Sequence, residues 1–319
     1  MSNELHVIFG TGAVGTAIMK ELVRKGKRIR MVNRSGKAPR GAAADLLANV
    51  EICAGDAYSA EATRRLAAGA AVVYQAAQPE YHEWLEKFPP LQAAILEGAA
   101  SAGAKLVVVE NLYMYGDPNG RPITEDLPIK PAARKGQVRA AMSQALLEAH
   151  ASGRVRVTMG RASDFFGPGY MVMGEQVFYP ALAGKRAAGI GNIDLPHSFT
   201  FTEDFGRALV MLGERDEALG RAWHVPTAPP VTQRELIKMI FEAAGQPPKI
   251  GAMGRLMMRI GGLFVPGARE MVEMMYEFEK PFILDSSRFT RTFGMEATPL
   301  REAVAQTVAW FRANPPARH

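Results

Sequence analysis

The chain has 319 residues, 48% hydrophobic and 22% charged, enough for one large domain or for a main domain with a smaller partner around a well-buried core. Its formal charge of +6 is modest at this length and is interspersed with acidic residues, so no basic stripe with interleaved aromatics marks a nucleic-acid binder. Cys53 is the single cysteine, which excludes an intrachain disulfide and a cysteine-based zinc site and suits a reducing, cytoplasmic setting.

The chain enters the apolar run Leu5–Phe9 almost at once, which predicts no signal peptide. Apolar runs then alternate with helical patterns. Strands are expected at Leu5–Phe9, Arg28–Val32, Val50–Ala54, Ala71–Gln75, Lys105–Val109 and Val155–Met159. Between them, Ala13–Lys25 carries Val14, Ala17, Ile18 and Leu22 on one face and stops at Gly26; further helices are expected at Ala42–Asn49, Ala60–Ala68, Pro90–Ala102 and Ala132–Ala151. This βα order predicts an α/β fold with a doubly wound parallel sheet over residues 1–160. Beyond Gly160 the pattern changes. Helices at Phe201–Leu212, Thr232–Ala244 (opened by a Thr232–Glu235 capping box) and Leu300–Arg312, a further strand at Trp223–Val225 and a fraying tail at Asn314–His319 predict a smaller substrate lobe over 161–319, with segments returning to the sheet. The most apolar late stretch, Met253–Val265, is broken by Arg255 and Arg259 and is too short to span a bilayer.

Gly10-Thr11-Gly12-Ala13-Val14-Gly15 is a GxGxxG pattern that follows a strand and opens an amphipathic helix. The first glycine allows the tight turn, the second lets backbone approach a pyrophosphate, and the third lets helix pack on strand. The helix N-terminus adds free N–H groups and partial positive charge. These features predict a Rossmann-type dinucleotide site. Where a ribose-binding acid would select NAD, the second strand ends in Asn33-Arg34-Ser35, and a guanidinium there can meet a 2′-phosphate. The expected cofactor is therefore NADP(H), with Lys37 and Arg40 adding positive charge. Asp56, after the third strand, reads either as an acceptor for the adenine amino group or as turn chemistry.

In these features and their order the chain resembles the extended and atypical short-chain dehydrogenase/reductases, the NAD-dependent epimerase/dehydratase group. The resemblance rests on the glycine loop, Gly55-Asp56, Gln75-Ala76-Ala77-Gln78, Tyr115-Gly116-Asp117-Pro118, Pro122-Ile123-Thr124-Glu125-Asp126, Arg161–Pro168, His197–Asp204 and Phe293-Gly294 with Thr298-Pro299. It implies that Ala76, Ala77 and Gln78 pass beside the cofactor and that Asp164 and His197 face the substrate. His197 stands in the place of an arginine that grips phosphate in sugar-nucleotide members, so the loss of that arginine argues against a nucleotide-sugar substrate; a lone histidine also reads as structural or merely surface.

The departures concern catalysis. The family's Ser or Thr corresponds to Asn111, and its Tyr-x-x-x-Lys pair to Lys135 and Arg139; no tyrosine lies between Tyr115 and Tyr170. Arg139 could hold the nicotinamide ribose. Lys135 could act as an acid only if burial beside another cation lowered its pKa. Tyr113 shares a face with Asn111 if the fifth strand runs that far, which makes it the nearest substitute acid; otherwise it packs beneath the loop. Asn111 reads as an oxyanion donor or a loop-capping amide. Met171, Met173, Met257, Met258, Met271, Met274 and Met275 read as core filler or as an adaptable substrate wall. Scattered histidines give no metal signal. Two functions follow as expectations: an NADP(H)-dependent oxidoreductase acting on a small, fairly apolar carbonyl, alcohol or activated alkene, or a noncatalytic NADP(H)-binding sensor or scaffold. An epimerase, dehydratase or isomerase with retained cofactor is the third. Any of them is compatible with a homo-oligomer.

Overall fold

Alternation along the first strand sends Val7 and Phe9 to one face and Ile8 to the other, and all three are fully buried, so both faces of the sheet must be covered. The computed structural model describes residues 4–261 and 266–316. Its central sheet has seven parallel strands. Six are β1 (Leu5–Phe9), β2 (Arg28–Asn33), β3 (Val50–Ala54), β4 (Ala70–Gln75), β5 (Lys105–Glu110) and β6 (Arg156–Arg161). The seventh, Ala222–His224, pairs with β6, so the chain beyond Gly160 does return to the sheet. Read across the sheet, the order is β3-β2-β1-β4-β5-β6 followed by Ala222–His224, and it reverses direction between β1 and β4. In sheets of this kind a ligand crevice opens beyond the carboxyl ends at that reversal.

Helices α1 (Ala13–Arg24), α2 (Ala44–Leu47), α3 (Ala60–Ala67), α4 (Trp84–Ser101) and α5 (Arg134–Ala151) connect the strands. On one face, Val7, Phe9 and Val73 pack under Leu66, Leu91, Ile95 and Leu146 from α3, α4 and α5. On the other, Ile8, Met31 and Val107 meet Ile18 and Leu22 of α1 and Phe205 and Leu209 of the helix Thr202–Glu214. A third core, around Phe178, Phe241 and Phe311, holds the C-terminal half together.

Three expectations need correction. Helix α4 starts six residues before Pro90, with Pro89 and Pro90 inside it, because Trp84 and Phe88 are buried with rings 5.1 Å apart and anchor the first turn. Helix α2 is only four residues long. Strand β5 ends at Glu110, and Tyr113–Tyr115 is a single 3₁₀ turn, so Asn111 and Tyr113 do not share a strand face. The apolar stretch ending at Val265 and the tail ending at His319 lie partly outside the described residues. No helix among the described residues is long and apolar enough to cross a membrane.

After Gly160, three two-stranded ladders organise the chain. Asp164–Phe166 pairs with Phe199–Phe201, Pro196–His197 with Val231–Thr232, and Ala187–Ile190 with Ile250–Met253. The capping box at Thr232–Glu235 forms as expected.

Two buried histidines give the fold a pH dependence. His6 Nδ1 lies 3.1 Å from the Tyr74 hydroxyl, and burial with Lys27 nearby pushes its pKa down from 6.5 to about 4. His224 Nε2 lies 2.9 Å from the Tyr115 hydroxyl, and burial beside Arg161 lowers it to about 3. Above pH 6.5 both imidazoles are neutral in either state. Below it the unfolded chain binds protons that the folded chain refuses, so stability falls with pH by up to about 1.4 kcal/mol per unit for each residue. Urea midpoints should therefore drop between pH 6.5 and 4, and His6→Phe should remove part of that slope.

Candidate active site

The carboxyl ends of β1, β2, β3 and β4 bring the glycine loop, Asn33-Arg34-Ser35, Asp56 and Ala76-Ala77 to one edge of the sheet. At Gly10, φ is +113° and an added Cβ would meet the Ala76 carbonyl carbon and Ala77 nitrogen at 2.6 Å, so only glycine lets β1 pass this close to the end of β4. Gly15 is equally constrained: its Cβ would lie 2.0 Å from the Gly10 carbonyl oxygen. Gly12 differs. Its backbone is extended, and a Cβ there would meet nothing within 4 Å, so neither conformation nor protein packing requires glycine. It leaves open space at the N-terminus of α1, where no side chain caps the helix and no acidic residue occupies the first turn. Thr11, Ala13 and Val14 beside it are half-buried, and Val14 packs on the second core. The loop fits a pyrophosphate.

Asn33 is a brace. Its amide donates to Thr11 Oγ1 at 3.1 Å and Lys37 O at 2.7 Å, and its Oδ1 accepts from the N–H groups of Ser35 at 3.0 Å and Gly36 at 2.7 Å. This ties the glycine loop to the turn that carries Arg34. Arg34 is exposed, and among the described residues no hydrogen bond or ion pair engages its guanidinium. Arg40, by contrast, reaches the Tyr179 hydroxyl and Pro315 O. Asp56 Oδ1 accepts from Tyr58 N at 2.9 Å, the turn chemistry of its two readings. Gln78 is exposed beyond the half-buried Ala76 and Ala77.

At the end of β5 the sequence hid a buried network. Glu110 Oε2 accepts from Arg161 Nε at 2.8 Å and the Ser143 hydroxyl at 3.3 Å, while Arg161 also donates to the Tyr115 hydroxyl at 2.6 Å. Arg139 is buried in the same layer. Its Nη2 donates to Val109 O at 3.0 Å and lies 3.9 Å from Glu110, with its guanidinium over the Phe88 ring. Asn111 Oδ1 accepts from Tyr113 N at 3.3 Å, a cap on the turn that leaves its NH₂ group unused among the described residues.

Lys135 is fully buried and pairs with Glu270, with Glu273 at 3.6 Å. Its ammonium also sits 4.6 Å over the Tyr81 ring. Glu273 is shared, since Arg134 Nε lies 3.7 Å from its Oε2. The Tyr81 hydroxyl is 3.5 Å from that of Tyr113, and burial raises both phenols' pKa values.

Asp164 and His197 come together: His197 Nε2 lies 2.7 Å from Asp164 Oδ2. The imidazole is buried against Phe199, Phe278 and Phe282, whereas the Asp164 side chain is 37% exposed. The methionines do not form one wall. Met171 and Met173 pack on the third core, Met274 and Met275 are buried, and Met257 is on the surface. Sequence reasoning also missed Glu277, which is 1% exposed, and Tyr81 and Tyr170, while Tyr276, grouped with the methionines in sequence, lies beside Glu277. Among the described residues no cluster of three or more His, Cys, Asp or Glu side chains is arranged to hold a metal ion.

The glycine loop and strand order define a Rossmann-like α/β protein. A model of the NAD dependent epimerase/dehydratase family matches residues 7–225, and the chain belongs to that family. A dTDP-glucose 4,6-dehydratase of Streptomyces griseus is 25% identical over 224 residues, 69% of this chain; the match spans 61% of that relative's length. The double mutant of DesIV, a dTDP-glucose 4,6-dehydratase of Streptomyces venezuelae solved with NAD, is 17% identical and superposes with a TM-score of 0.78 over 98% of this chain and 97% of that one. WbmH of Bordetella bronchiseptica, solved in complex with NAD+, is 19% identical, with a TM-score of 0.72 over 98% and 99% of the two chains.

Glu110→Ala tests the network. It would strand the buried Arg161 and Arg139 cations, and removing one partner of a buried pair typically costs about 3–5 kcal/mol. The loss should be read by chemical denaturation.

Proposed function

We propose that the chain is an NADP(H)-dependent oxidoreductase of the short-chain type, with a cofactor region over 1–160 and a mainly substrate-binding lobe over 161–319. The observation that carries the cofactor choice is the unengaged, exposed guanidinium of Arg34 on a turn with no carboxylate at the end of β2. A 2′-phosphate would find a charged, forked donor there. When bound, the dihydronicotinamide would supply hydride chemistry. Backbone N–H groups at the start of α1 would hold its pyrophosphate, and Arg34 and Ser35 its 2′-phosphate.

The relatives named above act on, or are solved with, nucleotide compounds, but the cations bordering this site are already committed. Lys135 is held by Glu270 and Glu273, Arg139 by Val109 O and Glu110, and Arg161 by Glu110, Tyr115 and Ser143. A diphosphate would meet the Asp164 carboxylate instead. That balance supports an uncharged substrate with a fairly apolar body, such as a carbonyl compound or its alcohol, and gives less support to a sugar nucleotide. In this reading Tyr113 and the free amide NH₂ of Asn111 orient the substrate oxygen, and Asp164 and His197 line its pocket. Lys135, engaged by Glu270 and Glu273, is given no part in this reading. A second reading, NADP(H) binding without turnover, draws support from that same ion pairing at the position of the family tyrosine. Consumption of NADPH with a panel of aldehydes, ketones and quinones separates the two.

Arg34→Ala should weaken NADPH binding by about 10- to 100-fold and spare NADH, since a charged hydrogen bond is worth roughly 1.5–3 kcal/mol. Fluorescence titration of both cofactors checks this; equal losses, or a wild-type preference for NADH, would refute the assignment. Tyr113→Phe should slow turnover while leaving NADPH affinity intact, and unchanged turnover would remove Tyr113 from the site.

A further inference from the structure

Helix Tyr276–Glu279 carries two groups that the sheet-edge chemistry does not use. Glu277 is 1% exposed, and it and the neighbouring Tyr276 hydroxyl interact with each other, with no other hydrogen-bond partner for its Oε1 or for that hydroxyl among the described residues. Buried polar atoms are normally fully paired, so a carboxyl left with one weak neighbour has capacity for a further group. The helix is placed to face the site. Tyr276 packs on the cluster of Leu112, Met114 and Tyr115 at the end of β5. On its other side, the Phe278 ring stacks on His197 at 5.4 Å and 7°, and His197 holds Asp164.

We propose that Glu277 is the proton donor of the carbonyl reduction, giving its carboxyl proton to the substrate oxygen. This rests on the oxidoreductase reading above. Hydride leaves the bound dihydronicotinamide and forms a new C–H bond on the carbonyl carbon, and the C=O π pair moves to oxygen. The Glu277 O–H bond breaks as the alcohol O–H bond forms. The nicotinamide is oxidised and the carbonyl reduced, and the Glu277 carboxylate regains its proton from water on the solvent-facing side of Asp164.

Burial, with Asp164 close by, keeps the Glu277 carboxyl protonated well above the usual carboxylate range. The competing donors are weaker acids. Phenols start near pKa 10 against about 4.3 for a glutamic acid, and burial raises the hydroxyls of Tyr81, Tyr113, Tyr170 and Tyr276 further. Those phenols are suited to holding an oxygen, and the carboxylic acid to protonating it.

The test uses the full chain and the variants Glu277→Gln and Glu277→Asp. At neutral pH the wild type should show the infrared carbonyl band of a neutral carboxylic acid, absent from Glu277→Gln. With NADPH and the carbonyl panel, Glu277→Gln should lose about 10²–10⁴-fold in turnover while binding NADPH normally. Glu277→Asp should keep an acid but turn over more slowly, because the carboxyl is drawn back by one methylene. Wild-type turnover retained in Glu277→Gln, or no neutral-acid band in the wild type, overturns the donor role and leaves the oxidoreductase reading standing. A wild type that binds NADPH but reduces none of the compounds withdraws both.

Discussion

A single buried carboxylate sets the geometry of the catalytic side. Glu110 is the last residue of β5, 1% exposed, and its charge is tolerable there only because Arg161 and Ser143 reach the same oxygen. Arg161 ends β6, and Ser143 lies on α5. The guanidinium then continues to Tyr115 and, through that hydroxyl, to His224 on the seventh strand. Three neighbouring strands and the main helix of this face are thus joined at their carboxyl ends, one residue below Asn111. A buried ion pair seldom adds much net stability, since desolvation offsets attraction. Its contribution here is register: the turn at Tyr113–Tyr115 has one place to sit.

On the cofactor side the constraint is steric. Gly10 brings β1 against Ala76-Ala77, and Gly15 brings α1 against Gly10. Gly12 answers to neither, which is why the opening above it reads as a ligand's space. Asn33 extends the arrangement outward by binding both the glycine loop and the turn bearing Arg34. The glycine loop and the turn bearing Arg34 are therefore mechanically connected through one amide side chain.

The cofactor half was largely legible in the sequence because its rules are local. Strand alternation and a glycine loop between strand and helix each depend on residues close in the chain, as does the capping box at Thr232 in the other half. The end of β5 was not legible in that way. Whether Tyr113 shares a strand face with Asn111 depends on one extra residue of pairing, and the chain turns instead. Pro89 and Pro90 suggested a helix start, whereas aromatic packing by Trp84 and Phe88 overrode them. Glu110 and Glu277 gave no signal at all, since a lone glutamate in an apolar context acquires meaning only from partners far away in sequence. Asp164 and His197 were singled out through resemblance, and their 2.7 Å contact depends on the pairing of Asp164–Phe166 with Phe199–Phe201.

Lys135 and Arg139 of α5 are both buried and both held by partners within the protein. Arg139 turns down to Val109 O and Glu110, and Lys135 turns out to Glu270 and Glu273. The second contact crosses from α5 to the segment that leads into the helix Tyr276–Glu279. A tyrosine at position 135 would have no charge with which to hold that segment, whereas a lysine joins it by ion pairs that are shielded from water. Lys135 thereby ties the start of α5 to the segment that carries Tyr276 against the cluster of Leu112, Met114 and Tyr115 at the end of β5.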